Sequence, residues 1–209
     1  MNVYFEIFHY DKRHKLKYKT ESEQSKSFVK AFLQFLYVLT SNLTQDIIDI
    51  TNTSRTVSSA TLARSGVTSP GLDSKNDFIV MPESTTDTVS IFSDDAGIVV
   101  GTSATAVAVA DDNLVAQIEH GTSAGQFVHY GCWGLNYATG ATAASFDIER
   151  IFRNSSGGTI VVAEIGIYAG SCLSSNGRAF CFVRDVLGAT ITVLDGEYLK
   201  VKYTIQVSN

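Results

Sequence analysis

The chain has 209 residues, and because 44% of them are hydrophobic it can bury a substantial core. Its formal net charge of −5 disfavours binding to a nucleic-acid phosphate backbone. The sequence contains 22 Ser, 20 Thr and 16 Gly residues, which is typical of half-buried pleated strands joined by tight turns. These properties predict a mainly β protein.

The N-terminal segment predicts a β-hairpin with one basic face. Val3, Phe5 and Ile7 alternate with other side chains, as in a strand that buries one face. Residues 12–15 read Lys-Arg-His-Lys and occupy the expected turn. We expect a solvated hairpin tip here, and contact with nucleic acid or with an acidic partner is the alternative.

A long apolar α-helix is predicted over residues 22–41. Its polar positions, Lys30, Gln34, Tyr37 and Ser41, fall on one narrow stripe, and the other faces are apolar. Such a helix either packs beneath its own sheet or contacts a neighbouring subunit, and both possibilities stay open. The candidate packing or subunit-interface residues are Phe28, Phe32, Phe35, Leu36 and Leu39.

The apolar part of this helix is too short to span a bilayer, and no secretory signal opens the sequence. We therefore expect no membrane association and a protein that is soluble when made.

Three regions are predicted along the chain. Residues 1–50 form the hairpin plus helix, residues 51–76 a loop-rich excursion, and residues 77–209 an antiparallel β-sandwich or jelly-roll-like domain. A short helix is expected at 114–119, capped by the acidic run that precedes it. Strands are expected at 78–81, 88–92, 98–101, 126–135, 145–153, 159–169, 180–186, 191–194 and 197–207.

Two turn sequences predict β-hairpins in the last region. Residues 154–158 are expected to join two strands directly, and Asp195-Gly196 is expected to join the final two. In the first hairpin Arg150 and Glu164 would lie opposite each other. A partly buried ion pair at that position would fix the register of the strands more than it would add stability.

The sequence offers no catalytic constellation. It has no phosphate-binding Gly-rich loop, no nucleophile elbow and no metalloprotease motif. The acidic pairs Asp94-Asp95 and Asp111-Asp112 lack the ligand spacing of a calcium loop. We therefore predict a protein that is not an enzyme and that has no cofactor and no metal site.

The cysteines and aromatic residues have two interpretations each. Cys132, Cys172 and Cys181 are expected to be core thiols, with a Cys172–Cys181 bridge as the alternative. Trp133, which lies near Tyr130 in the sequence, is expected in the core, with a sugar-stacking platform as the alternative.

The order of four motifs resembles a group of tailed-bacteriophage virion proteins that are often labelled tail or minor structural proteins. The motifs are IVVGTSATAVAVADDNLVAQIEHG, SFDIERIFRNSSGGTIVVAEIGIYA, FCFVRDVL and ITVLDGEYLKVKYTIQVS. The front, SFVKAFLQFLYVL followed by DITNTSRTV, is also similar, whereas Ser103 stands where the group often has glycine. The matching positions are Gly101, Leu114, Ile118, Phe152, Asn154, Glu164, Gly166, Arg184, Gly196, Leu199, Val201 and Tyr203.

This resemblance implies a non-enzymatic structural subunit of a tailed-phage virion, in the tail, in the neck or associated with the capsid. Such a subunit would form homo-oligomers and dock onto other virion proteins. It would be made in the host cytoplasm and located in the virion. A second hypothesis is a glycan-binding adhesin or receptor-binding module, with host glycan as the partner. An extracellular filament subunit is a variant of that hypothesis.

Overall fold

The computed structural model describes residues 2–25, 27–41, 43–57, 94–171 and 178–208. These ranges contain eleven β-strands and one α-helix, and the strands pair only in antiparallel fashion. The prediction of a mainly β, antiparallel protein is therefore confirmed. The strands are β1 (Asn2–Tyr10), β2 (Leu16–Lys19), β3 (Glu23–Ser25), β4 (Gln45–Ile48), β5 (Ser54–Val57), β6 (Gly97–Gly101), β7 (Phe127–Thr139), β8 (Ala143–Asn154), β9 (Ile160–Ser171), β10 (Arg178–Val193) and β11 (Tyr198–Ser208), and the helix is α1 (Lys30–Ser41).

Some predictions concern residues that lie outside these ranges. They are the strands at 78–81 and 88–92, most of the 51–76 excursion, and the Cys172–Cys181 bridge. Cys132 and Cys181 are buried free thiols, as predicted.

A six-stranded sheet forms the larger layer, with the order β2-β1-β11-β8-β7 and with β3 also paired to β1. Strand β1 pairs with β11 along its whole length, from Asn2 opposite Gln206 to Tyr10 opposite Tyr198. The N-terminal hairpin was predicted to belong to a region of its own. It is instead part of the main sheet, because the apolar face of β1 continues the buried face of β11.

The smaller layer is a three-stranded sheet with the order β10-β9-β6, and both of its edges are covered. On the β10 side, the Val29 N–H donates to the Phe182 carbonyl over 3.1 Å. On the β6 side, the Ile118 N–H donates to the Val100 carbonyl over 2.9 Å. Covering these edges satisfies backbone groups that would otherwise be available to pair with other chains.

The two sheets bury their facing side chains in one shared hydrophobic cluster. Tyr203 of the larger sheet also reaches Asp185 of the smaller one, with 3.1 Å between the hydroxyl and carboxylate oxygens. The larger sheet contributes Val3, Phe5, Ile7, Ile148, Phe152, Leu199, Val201 and Tyr203, and the smaller one contributes Ile98, Val100, Ile165, Ile167, Phe180 and Phe182.

The N-terminal hairpin forms as predicted, between β1 and β2, but the hairpins predicted at residues 154–158 and 195–196 are wrong. Strand β8 pairs with β7 and β11, whereas β9 pairs with β6 and β10, so residues 155–159 cross from one sheet to the other. Residues 194–197 cross back in the same way. Asn154 joins the two crossings, because its side-chain amide donates to the Val193 carbonyl over 2.8 Å and its carbonyl accepts from the Gly196 N–H over 2.8 Å. Gly196 has a φ of 84°, which glycine adopts without strain.

The helix is shorter than predicted. It begins at Lys30 and has 12 residues, because residues 23–25 pair as β3 with β1 and Phe28 forms a β-bridge with Val183. Here strand pairing overrides helix propensity. The helix packs on β10 of its own subunit through Phe35, which is 1% exposed. The Phe35 ring centroid lies 4.9 Å from that of Phe180 and 5.0 Å from that of Phe182.

Candidate functional site

The predicted Arg150–Glu164 pair does not form, because β8 and β9 lie in different sheets. Glu164 instead accepts a hydrogen bond from Arg184 on the adjacent strand β10, with 2.8 Å between Oε2 and Nε. Both side chains are fully buried. Glu164 is therefore a buried partner of an arginine, as predicted. The arginine is Arg184, however, and not Arg150.

Glu164 also determines the local structure of residues 114–118. Its carboxylate accepts the Ala116 N–H over 2.8 Å and the Val115 N–H over 3.3 Å, while the Tyr168 hydroxyl accepts the Leu114 N–H over 2.7 Å. The prediction of a short helix at residues 114–119 is therefore wrong. The backbone donors bind side chains of β9, and the segment forms a turn that pairs with β6.

Arg184 completes this buried network. Its Nη1 lies 2.8 Å from Asp111 Oδ2, and its Nη2 donates to the Thr105 carbonyl over 2.8 Å. Burial would lower the pKa of Arg184, but the hydrogen bonds to Asp111 and Glu164 outweigh burial and hold the pKa above its usual value. Through these hydrogen bonds the network holds residues 105–116 against the smaller sheet.

Arg150 occupies a different buried position, between the two sheets, and is 2% exposed. Its guanidinium donates to three backbone carbonyls, those of Tyr130 (2.8 Å), Ala96 (2.9 Å) and Ile98 (2.8 Å). Burial lowers the pKa of Arg150. The side chain links β8 to β7 and to β6, and it fixes the backbone of β7 at Tyr130.

A cleft of about 720 Å³ lies directly beyond Tyr130, on the outer face of the six-stranded sheet. We call it the outer cleft. Its volume falls within the range of roughly 300–1,000 Å³ that is usual for small-molecule sites. Its lining consists of Tyr10, His14, Tyr130, Gly131, Trp133, Leu135, Glu149, Arg150, Ile151, Tyr198 and Lys200.

Aromatic side chains dominate the outer cleft. Trp133 is 39% exposed and Tyr130 is 37% exposed, so the expectation that Trp133 lies in the core is wrong. The indole folds over Gly131, where an added Cβ would lie 3.1 Å from Nε1. Tyr198 is held by the His14 ring, whose centroid lies 4.3 Å away.

A donor and an acceptor lie side by side in the outer cleft. Lys200 Nζ is 3.3 Å from both carboxylate oxygens of Glu149. Both side chains are only about one-fifth exposed, at 20% for Lys200 and 19% for Glu149. Lys200 Nζ also lies 4.3 Å from the Phe8 ring centroid, so its position is fixed from two sides.

The tip of the β1–β2 hairpin forms a basic rim beside the outer cleft. The Asp11 carboxylate shapes the tip by accepting the Arg13 and Lys15 N–H groups, and the bond from Lys15 is the main reason why the pKa of Asp11 is lowered. Among the residues described, the side chains of Lys12, Arg13 and Lys15 form no ion pair within 4 Å. The rim therefore carries three positive charges against the single negative charge of Asp11.

The candidate interface residues of the helix divide into two groups. Phe35 is buried, and Phe28 and Phe32 are partly buried against the same core. Leu36 is 43% exposed and lies beside Leu33, which is 64% exposed. The side chain of Leu39 lies outside the described residues.

Within the described ranges, no group of three or more His, Cys, Asp or Glu residues could hold a metal ion. In the same ranges, no helix is long and apolar enough to cross a membrane.

Sequence reasoning missed most of the outer cleft. Tyr198 and Lys200 alternate with the buried residues of β11, which is a signal for the outer face. The sequence, however, predicts residues 191–194 as the partner of β11, whereas its partners in the structure are β1 and β8. Tyr10 of β1 and Glu149 of β8 could therefore not be placed beside it.

No protein-family model, curated protein or solved structure significantly matches this chain. The resemblance to tailed-phage virion proteins therefore rests on the order of the sequence motifs alone.

Proposed function

We propose that this chain is a non-enzymatic structural subunit of a tailed-phage virion, located in the tail, in the neck or at the capsid surface. It acts by self-assembly and by docking onto other virion proteins. The order of motifs along the chain supports the virion assignment. A β-sandwich arrangement, supported by the core that the two sheets share, suits a subunit used in many copies.

The observation that carries this proposal is that the buried charged side chains hold the protein's own strands and loops in place. Glu164, Arg184 and Arg150 all bind groups of the protein itself, and each holds a loop or a strand in place. Fully satisfied polar networks rigidify one conformation of a core. This is the property that a building block requires.

Two surfaces suit docking. Leu33, Leu36 and Tyr37 form an exposed ridge on α1, and Tyr37 is 45% exposed. Among the described strands, β7 is the outermost strand on one side of the six-stranded sheet, and the side chains of its second half are exposed. Exposed apolar patches and open strand edges are the usual sites of subunit association.

Self-assembly is tested by size-exclusion chromatography with light scattering across a concentration series. We expect oligomers of the wild-type protein and a shift towards monomer in the Leu33→Gln/Leu36→Gln double variant. Leu194→Gln is the matched control, because Leu194 is similarly exposed, at 46%, but lies at a sheet crossing. A wild-type protein that is monomeric at every concentration contradicts self-assembly.

The virion assignment has its own test. Mass spectrometry of purified particles of a phage that encodes this chain should detect it in stoichiometric amounts. Its absence from such particles would rule out the virion role.

A further inference from the structure

The outer cleft combines free aromatic surfaces with fixed polar groups. Trp133 and Tyr130 are each more than one-third exposed, and neither makes a ring contact with another described aromatic side chain. Large aromatic side chains exposed on a sheet have an apolar face that is left to water unless a ligand covers it. The outer cleft is therefore built to receive a ligand with a flat apolar face.

The polar part of the outer cleft narrows the chemistry of that ligand. Glu149 supplies an acceptor and Lys200 supplies donors, only 3.3 Å apart. A ligand that uses both must carry hydroxyl groups or a comparable mixture of donors and acceptors. A pyranose ring has this character, because its C–H face stacks on an aromatic ring while its hydroxyls point outward to hydrogen-bonding groups.

The site is held in place by the fold. Arg150 anchors the Tyr130 carbonyl at 2.8 Å, and Lys200 is fixed between Glu149 and the Phe8 ring. Neither group needs to be ordered when a ligand arrives, which lowers the entropic cost of binding.

We propose that the outer cleft binds an acidic oligosaccharide. Trp133 and Tyr130 stack on its rings, and the Glu149–Lys200 pair binds its hydroxyls. The basic rim of Lys12, Arg13 and Lys15 attracts its carboxylate or sulfate groups. This activity goes beyond the structural role, since it gives the subunit a ligand of its own.

Charge distinguishes this ligand from a single-stranded nucleic acid, which also stacks on aromatic side chains. A chain whose net charge is −5 disfavours a ligand with a phosphate at every residue. An acidic saccharide with one carboxylate on every second ring carries about half as many charges, and it can direct them to the basic rim.

The test exploits the fact that Trp133 is the only tryptophan in the sequence. Its fluorescence therefore reports on the outer cleft alone. The intact protein is titrated with hyaluronan hexasaccharide and unsulfated chondroitin hexasaccharide as acidic probes, with maltohexaose as the neutral probe and with a thymidine hexanucleotide. We expect saturable changes with at least one acidic saccharide, weaker binding of maltohexaose and no binding of the oligonucleotide.

Variants locate the binding. Tyr130→Ala should weaken saccharide binding about tenfold through loss of stacking. Tyr137→Ala is the matched control, because Tyr137 lies on the same strand, is 77% exposed and does not line the outer cleft. Lys12→Gln/Arg13→Gln/Lys15→Gln should weaken binding of the acidic probe and leave maltohexaose unchanged. Calorimetry with each variant confirms the affinities, and unchanged thermal melting confirms the fold.

Three outcomes would overturn the proposal. One is that no saccharide binds at millimolar concentration. Another is that the oligonucleotide binds more tightly than the saccharides. The last is that Tyr130→Ala and Tyr137→Ala bind the acidic saccharide equally well.

Discussion

Two regions of the molecule each bury an arginine, and the contacts described for the two arginines differ. Arg184, within the smaller sheet, binds the carboxylates of Glu164 and Asp111, and its pKa is raised. Arg150, between the sheets, donates to the backbone carbonyls of Tyr130, Ala96 and Ile98, and burial lowers its pKa. The described partners of Arg184 include two carboxylates, whereas those of Arg150 include three neutral backbone carbonyls.

The largest effect is expected in the Arg184 region. Arg184→Met leaves Glu164 buried with a negative charge that no arginine compensates, and it should lower the free energy of unfolding by about 3–5 kcal/mol. Urea denaturation measures this loss.

The matched control for this change is the double variant Arg184→Met/Glu164→Gln. It removes both charges and should recover part of the lost stability. If the double variant is less stable than the single one, charge compensation is not the role of Arg184.

A smaller effect is expected in the Arg150 region. Arg150→Met removes the donors to three neutral carbonyls, so we expect a loss of about 2–3 kcal/mol. Because Arg150 anchors Tyr130, the Trp133 emission should also shift. Arg153→Met, on the exposed face of the same strand, should change the free energy of unfolding by less than about 1 kcal/mol. If the two variants lose the same free energy of unfolding, the hydrogen bonds of Arg150 to the three carbonyls do not stabilise the fold.

The smallest effect is a pH dependence in the Arg150 region. Burial, together with the nearby Arg150 guanidinium, lowers the pKa of His129 to about 2. In the unfolded chain this pKa is about 6.5. Below pH 6.5 the unfolded state therefore binds a proton that the folded state does not, and stability should fall by about 1.4 kcal/mol per pH unit.

This pH dependence is measured by urea denaturation of the wild-type protein and of His129→Phe between pH 7.5 and 5.5. The variant should lack this part of the slope, because phenylalanine can pack edge-on against Phe152 without titrating. Identical slopes in the two proteins would remove His129 as the source.

The strands and their buried faces could be predicted from the sequence, but their partners could not. In β11 the alternation of Leu199, Val201 and Tyr203 correctly identified the core face. Alternation states which face is buried and says nothing about which strand lies alongside. The turn at Asp195-Gly196 therefore looked like a hairpin although it crosses between sheets.

The errors near the candidate site have a similar origin. Residues 114–118 carry helix signals, but the Glu164 carboxylate, which is 48 positions away from Ala116, binds their backbone donors. Trp133 was expected in the core because large aromatic residues usually bury well. Its exposure follows from its place on the outer face of an edge strand, which only the sheet order reveals.

The pairing of β1 with β11 has a consequence for biosynthesis. Asn2 lies opposite Gln206, so β1 pairs with a strand that is far from it in the sequence. The apolar face of β1 therefore stays unburied until the residues between β1 and β11 have been translated. Joining such distant segments is also slow, because loop closure must precede the contacts that stabilise it. The larger sheet can be completed only once β11 has been translated, and in the interval before that the chain is most exposed to aggregation and to capture by chaperones.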